Sequence, residues 1–252
     1  MKTSKFTISN VLSTSWNALK SQIWILAGLF IGYFLFFFTL GAILAPVSNS
    51  ILGGLLVNLL ITVLSLMFML GYLKNLFQVL DGDEPRFSAY GQQARKILTI
   101  FVSSILCNLV VFLAAAIFLG PYFFFLLRYT FVGYLFPTLS FMHAQSDIAP
   151  DGNAVIALAM LLAALCLSLP SIYFSIRFMF YQAFIVDEDA GIIESLQKSW
   201  QITKGQTLPL FLLGIVALGL ILAGAFACGI GIFIAVPLIY LMFCCVFRKL
   251  NN

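Results

Sequence analysis

The chain has 252 residues, 62% of them hydrophobic and 9% charged, with 27 Phe. A soluble domain carries about 25% charged residues to keep its surface wet, so a water-soluble fold is excluded and an all-α polytopic integral membrane bundle is expected. A net charge of +4 makes no basic face on so apolar a chain, which excludes nucleic acid as a partner, and nine carboxylates with one His leave little reactive chemistry to arrange.

Residues 1–22 read as an amphipathic helix rather than a cleavable signal peptide, because no short basic stretch feeds directly into an apolar run. At helical spacing Ile8, Val11, Leu12, Trp16, Leu19 and Ile23 form an apolar stripe. Such a helix lies in the membrane interface, with Trp16 at headgroup level and Lys20 toward water. A crossing needs about 20 apolar residues. Residues 23–45 and 51–73 meet this and, joined by a turn that opens on Pro46, make a first hairpin over 23–79. A cytoplasmic loop occupies 80–96.

The next apolar runs are 97–119, 122–142, 154–169 and 171–186. They read as hairpins over 97–142 and 153–186, in which Pro121 and Pro170 open the returning arms, because proline lacks the amide donor and belongs at a helix start or break. A second elbow helix covers 187–206, and a last hairpin over 207–252 holds the runs 208–227 and 229–247. About eight transmembrane segments are expected. The alternative is six, with 122–142 re-entrant or interfacial and 154–186 fused into one long kinked helix.

Orientation follows the cations, whose excess marks cytoplasmic flanks. Lys2, Lys5 and Lys20 precede the first span, Lys74, Arg86, Arg95 and Lys96 fill the second connection, Lys198 and Lys204 precede the seventh run, and Arg248 and Lys249 follow the last. These are eleven of the thirteen Lys and Arg. Both termini are therefore expected in the cytoplasm of a bacterial inner-membrane protein. The segment between Lys96 and Asp187 must then cross an even number of times, which four crossings or two both satisfy.

The chain also repeats itself. Aligning Trp16 with Trp200 brings Ile8, Leu12, Ser15, Lys20 and Gln22 onto Ile192, Leu196, Ser199, Lys204 and Gln206, all identical and both ahead of a span. Trp16, Lys20, Trp200 and Lys204 are the expected interfacial anchors. A second repeat pairs Pro121 and Arg128 with Pro170 and Arg177, each pair seven residues apart.

The run Pro170, Tyr173 and Arg177, then Asp187, Glu188 and Gly191, then Glu194, Ser199, Trp200, Thr203, Lys204 and Gly205 resembles a group of bacterial multi-pass proteins. That group includes the membrane domain of glycerophosphoryl diester phosphodiesterases and related families of unknown function. The segments Gly82-Asp83-Glu84-Pro85-Arg86-Phe87 and Gly229, Gly231, Pro237, Tyr240, Arg248, Lys249 and Leu250 are similar as well. The resemblance implies a helical membrane fold. It implies no phosphodiesterase activity, because in that family the reaction belongs to a separate soluble domain. Ser171 departs from the Gly that usually follows the proline.

No catalytic motif is present, and no enzyme activity, metal or cofactor is expected. His143 beside Asp147 and Asp151 reads as a solvated connection. Cys107, Cys166, Cys228, Cys244 and Cys245 lie in apolar runs without metal spacing and read as reduced core residues. Asp187, Glu188, Asp189 and Glu194 form the densest acidic cluster, read as favourable charge at a helix N-terminus, with cation binding or partner docking as the alternative. Arg128 and Arg177 stand in apolar arms, where a cation is costly and marks a functional hypothesis: snorkelling or carbonyl pairing, or a site for an anionic headgroup or substrate. Asn58 and Asn108 suit interhelical hydrogen bonds. Gly28 with Gly32, and Gly219, Ala223, Gly224 and Gly229, suit close helix contact within the chain or between protomers. The expected function is a non-catalytic membrane component that binds membrane lipids or supports a protein partner or homo-oligomer. The alternative is a transporter or channel for a small anionic or amphiphilic substrate, using Arg128 and Arg177.

Overall fold

A computed structural model describes residues 6–135, 150–226, 229 and 231–251, with side chains described outside 125–135 and 150–161. Helices α1 (Ile8–Leu44), α2 (Ile51–Asp81), α3 (Ser88–Gln93), α4 (Ile97–Leu135), α5 (Pro150–Phe178), α6 (Tyr181–Glu188), α7 (Ile192–Ile202), α8 (Thr207–Phe226) and α9 (Ile232–Asn251) follow in order, with no strand among the described residues. Six helical stretches are long and apolar enough to cross a membrane, so this is a multi-pass membrane-type protein. They are Ile8–Leu44, Ile51–Asp81, Ser88–Phe124, Leu162–Glu188, Thr207–Phe226 and Ile232–Asn251.

The chain divides into two compact units, Met1–Ser104 with Arg177–Asn252, and Ile105–Ile176. In the first unit α9 is the centre. More than half of its apolar window is buried (56%), against 22% or less in the other candidate spans, and it packs on α1, α2 and α8. Phe247 of α9 meets Phe77 of α2 and Phe180 and Phe184 around α6, with ring centroids 5.6, 6.0 and 4.9 Å apart. Each such aromatic pair adds about 0.5–1.5 kcal/mol beyond area burial.

Local chemistry sets the element ends. Gln22 leaves helical geometry (φ −131°, ψ 25°) and divides α1 where the polar N-terminal arm gives way to the apolar one. A short 3₁₀ turn, Val47–Asn49, closes the first hairpin, and the Ser50 side chain accepts from the Gly53 N–H to cap α2. At the other end of α2, Gly82 takes φ 88°, and its N–H and that of Asp83 return to the carbonyls of Val79 and Gln78. This is a Schellman close, which favours glycine because other residues strain at positive φ. Gly71 lies so close to the Tyr90 ring that a Cβ there would collide with it, which lets α3 fold back onto α2.

The middle of the chain corrects the expected hairpins over 97–142 and 153–186. Pro121 lies inside α4 and Pro170 inside α5, each a continuous helix, so neither proline opens a returning arm, and among the described residues six stretches rather than eight are long and apolar enough to cross. The physical reason is the solvent. An interior proline forfeits one backbone bond, whereas a turn inside hydrocarbon would leave several groups unsatisfied at several kcal/mol each. The six-span alternative is closer, since residues 154–178 belong to one helix. In its other half, residues 122–135 continue α4 rather than re-entering.

Within the second unit, the arms of α4 and α5 line a groove of about 1000 Å³ with Val110, Leu113, Ile117, Cys166, Pro170 and Phe174. Cys166 is exposed there, not in a core; Cys244 and Cys245 are buried, and all the described cysteines are unbridged. Cys228, His143 and Asp147 lie outside the described residues, while Asp151 stands in the first turn of α5 rather than in a loop.

Candidate functional site

The first unit concentrates its charge at one end. Asp187, Glu188 and Asp189 follow one another at the end of α6, and their partners come from several elements. Asp187 pairs with Arg248 of α9 at 3.0 Å, and Arg248 also meets Asp81 of α2 at 2.8 Å. Glu188 accepts from Lys198 of α7 at 2.9 Å and from Asn251 of α9 at 2.7 Å. Asp189 pairs with Lys96, where α4 begins, at 2.5 Å and with Arg95 at 3.4 Å. Asp189 closes α6 in the left-handed region (φ 55°), a conformation that Asp tolerates better than most non-glycine residues.

Lys96 is the buried member. Its Nζ donates to the Val186 carbonyl at 3.0 Å as well as to Asp189, so a cation satisfies a backbone acceptor in the last turn of α6, where the helix dipole favours positive charge. The acidic cluster therefore does not act as expected. Asp187 and Glu188 sit at a helix C-terminus, where the dipole opposes them, and their cationic partners offset it. Only Glu194 fits the N-terminal reading: in the first turn of α7, its Oε2 accepts from the Gly191 N–H at 3.2 Å.

These contacts set the titration of the exposed groups. Hydrogen bonding to Lys96 is the largest influence on Asp189; with the charges of Lys96, Arg95 and Lys74 it outweighs the opposing desolvation and holds the carboxyl below its usual range. Lys198 does the same for Glu194, aided by the Gly191 N–H. Glu194 and Glu188 in turn raise Lys198.

Arg177 stands next to this end. It is 3% exposed, and its guanidinium carbon lies 4.0 Å from the centroid of the Trp200 ring of α7, a cation–π arrangement. The chain breaks helix between Phe178 and Tyr181, and α7 supplies the missing partners. Ser199 Oγ accepts from the Phe180 N–H at 3.2 Å and donates to the Arg177 carbonyl at 2.9 Å, and Thr203 Oγ1 donates to the same carbonyl at 3.3 Å. Arg177 thus lies within the candidate span Leu162–Glu188, at the joint between α5 and α6 and against α7, and not in an arm that returns from an outer turn at Pro170.

Val11, Ser15 and Leu19 form the buried face of the first arm of α1, and Ser195, Ser199 and Thr203, at the matching positions, form that of α7. Trp16 and Lys20 are exposed, as is Lys204, while Trp200 is half-buried as the shelf for Arg177. Residue 128 belongs to α4, and its side chain lies outside the described residues. Sequence reasoning missed Lys96 and Ser199. The identity of Ser15 and Ser199 in the repeat was the available signal for the second.

Two grooves complete the geometry. The larger, between α4 and α5, is apolar. In the first unit a groove of about 480 Å³ is bounded by Trp24, Gly28, Gly32, Phe36, Phe68 and Phe87. Among the described residues no group of His, Cys, Asp and Glu side chains could hold a metal ion. Over residues 6–247 the chain matches the model of the Domain of unknown function (DUF7847), and it belongs to that family. No curated protein and no solved structure matches it.

Proposed function

From membership of a family without an assigned activity, we propose that the protein is a non-catalytic, multi-pass component of a bacterial inner membrane that binds lipid or supports a partner complex. Both termini are cytoplasmic in this reading, and α7 and the first arm of α1 lie in the inner interface. The observation that carries it is Arg177, a buried cation seated on Trp200 at the joint between a span and an amphipathic helix. A guanidinium at that level suits an anionic lipid headgroup, with Arg128 as the second candidate ligand on the strength of the sequence repeat. The kinship to the membrane domain of glycerophosphoryl diester phosphodiesterases, carried by the motifs above, belongs to the same proposal.

A transporter or channel is the second reading. It is disfavoured by the linings of the two described grooves, which are apolar and include neither Arg177 nor any other charged residue. The test is copurification. Wild-type protein is expected to retain anionic lipid or a specific partner through purification, and Arg177→Ala combined with Arg128→Ala to lose it. Unchanged copurification overturns the Arg site, and substrate flux in liposomes overturns the non-transport reading.

A further inference from the structure

The loop Gly82 to Phe87 takes no part in the ion-paired end, although it carries three charges. Arg86 is exposed and joins no ion pair among the described residues, and the same holds for Asp83 and Glu84. The loop is nevertheless held in place. Asn75, buried in α2, accepts from the Arg86 N–H at 3.1 Å, and Phe87 and Tyr90 continue an aromatic wall with Phe68 and Tyr33, with neighbouring centroids 4.3–6.3 Å apart.

That wall bounds the groove of about 480 Å³ in the first unit. Its floor is the Gly28 and Gly32 face of α1, where a Cβ would meet nothing within 4 Å. One end lies at Trp24 (88% exposed) and Phe87 (81% exposed), only two residues beyond the break at Gln22, and the other at Phe36. Twelve residues of helix are about 18 Å, close to one leaflet of a hydrocarbon core of about 30 Å. A slot that starts at the interface and runs one leaflet deep fits an acyl chain. The residue preceding Phe87 is a cation, and two carboxylates stand just before it.

We propose that this groove is a binding site for one zwitterionic, amine-bearing glycerophospholipid. One acyl chain lies along the Gly28 and Gly32 floor against Phe68 and Phe87. Arg86 takes the phosphate, for which a guanidinium is the suited donor, and Asp83 and Glu84 take the ammonium. The two carboxylates are what select against a purely anionic head. The inference deepens the lipid-binding reading and rests on it, but it uses none of the Arg177 contacts.

The test is native mass spectrometry of the full-length, delipidated protein in detergent, titrated with phosphatidylethanolamine and phosphatidylglycerol of equal chain length. The expected result is one phosphatidylethanolamine per protomer that an equal concentration of phosphatidylglycerol, which the Arg177 site would take, does not displace. Gly28→Leu with Gly32→Leu fills the open floor and improves helix propensity, so lipid occupancy should fall while the melting temperature holds. Arg86→Gln should weaken binding about tenfold. Unchanged phosphatidylethanolamine occupancy in the glycine variant overturns the site, as does displacement of the phosphatidylethanolamine by an equal concentration of phosphatidylglycerol, or a protein dimer that the glycine variant dissociates. Arg177→Ala run in parallel separates the two readings: lipid lost there and retained in the groove variant sinks this site alone, and no retained lipid in any form sinks both.

Discussion

The Ser199 hydroxyl and the Arg177 carbonyl, 2.9 Å apart, join α7 to the end of α5. The same hydroxyl accepts from the Phe180 N–H, so one side chain satisfies two backbone groups that the break between α5 and α6 leaves open. A buried polar group left without a partner costs about 1–3 kcal/mol. Ser199→Ala strands the Phe180 N–H, whereas Thr203 still serves the Arg177 carbonyl, and the expected loss of stability lies in that range. Ser15→Ala, at the matching position of the repeat, should cost less, because the Ser15 hydroxyl serves no backbone break. Thermal melts of the two variants in one detergent check this; equal losses would sink the distinction.

Lys96 predicts a second effect. Lys96→Met keeps the apolar stem but removes a charged donor from the buried Val186 carbonyl, at an expected cost of about 1.5–3 kcal/mol. Asp189→Asn should cost much less, since that carboxyl is mostly exposed and water replaces its partner. Denaturation of the single and double variants measures the coupling, and a coupling indistinguishable from zero would show that Lys96 acts on Val186 alone.

The exposed pairs predict the pH profile. Asp189 and Glu194 have folded values below their ordinary ones, so their contribution is present above the unfolded values, about 3.9 and 4.3, and is lost as pH falls through the depressed ones. Lys198 is raised, so its contribution is present below about 10.4 and is lost as pH rises through the higher value. The melting temperature should therefore be flat from about pH 5 to 10 with respect to these groups, and decline on the acid side. Lys198→Ala should shrink the Glu194 part of that decline; an unaltered acid limb would refute the assignment.

If the six candidate spans all cross and both termini are cytoplasmic, as proposed above, the residues between 135 and 150 are expected on the periplasmic side. A single cysteine at residue 143 in a cysteine-free background should be labelled by an impermeant thiol reagent from the periplasmic side. A cysteine at Ser88 should react only after the membrane is opened. The reverse pattern would invert the orientation, and protection at both positions would refute the six-span topology.

The repeat was legible because it is written in residue identities. Gln22 and Gln206 both stand at the corner between an amphipathic helix and a span, and Gly205 turns the second corner at φ 81°. Pro121 and Pro170 misled because their effect depends on the surrounding medium: in water each would end a helix, while in hydrocarbon the helix is the cheaper alternative. Largely apolar arms such as residues 97–119, with only Thr99, Ser103, Ser104 and Asn108 as polar members, carry no continuous polar face to say where a crossing stops. The ion pairs were illegible for another reason. Arg248 meets Asp81 across 167 positions of sequence and Lys96 meets Val186 across 90, and no local pattern announces such a partner.

The hairpin tips have a bearing on how the chain enters a membrane. The turn from Ala45 to Ser50 and the stretch from Phe226 to Ile232 contain no ionisable side chain apart from Cys228, whereas the ends opposite them hold the paired charges. Passing an Asp, Lys or Arg through the bilayer centre costs about 2.5–3.5 kcal/mol by insertion scales. The first and last hairpins can each be threaded tip-first, as a preformed pair of helices, without any charge leaving the side on which it was synthesised. In the proposed six-span orientation, the sequence between residues 135 and 150, which carries Asp147, brings a carboxylate across, and biogenesis should be most dependent on the insertion machinery there.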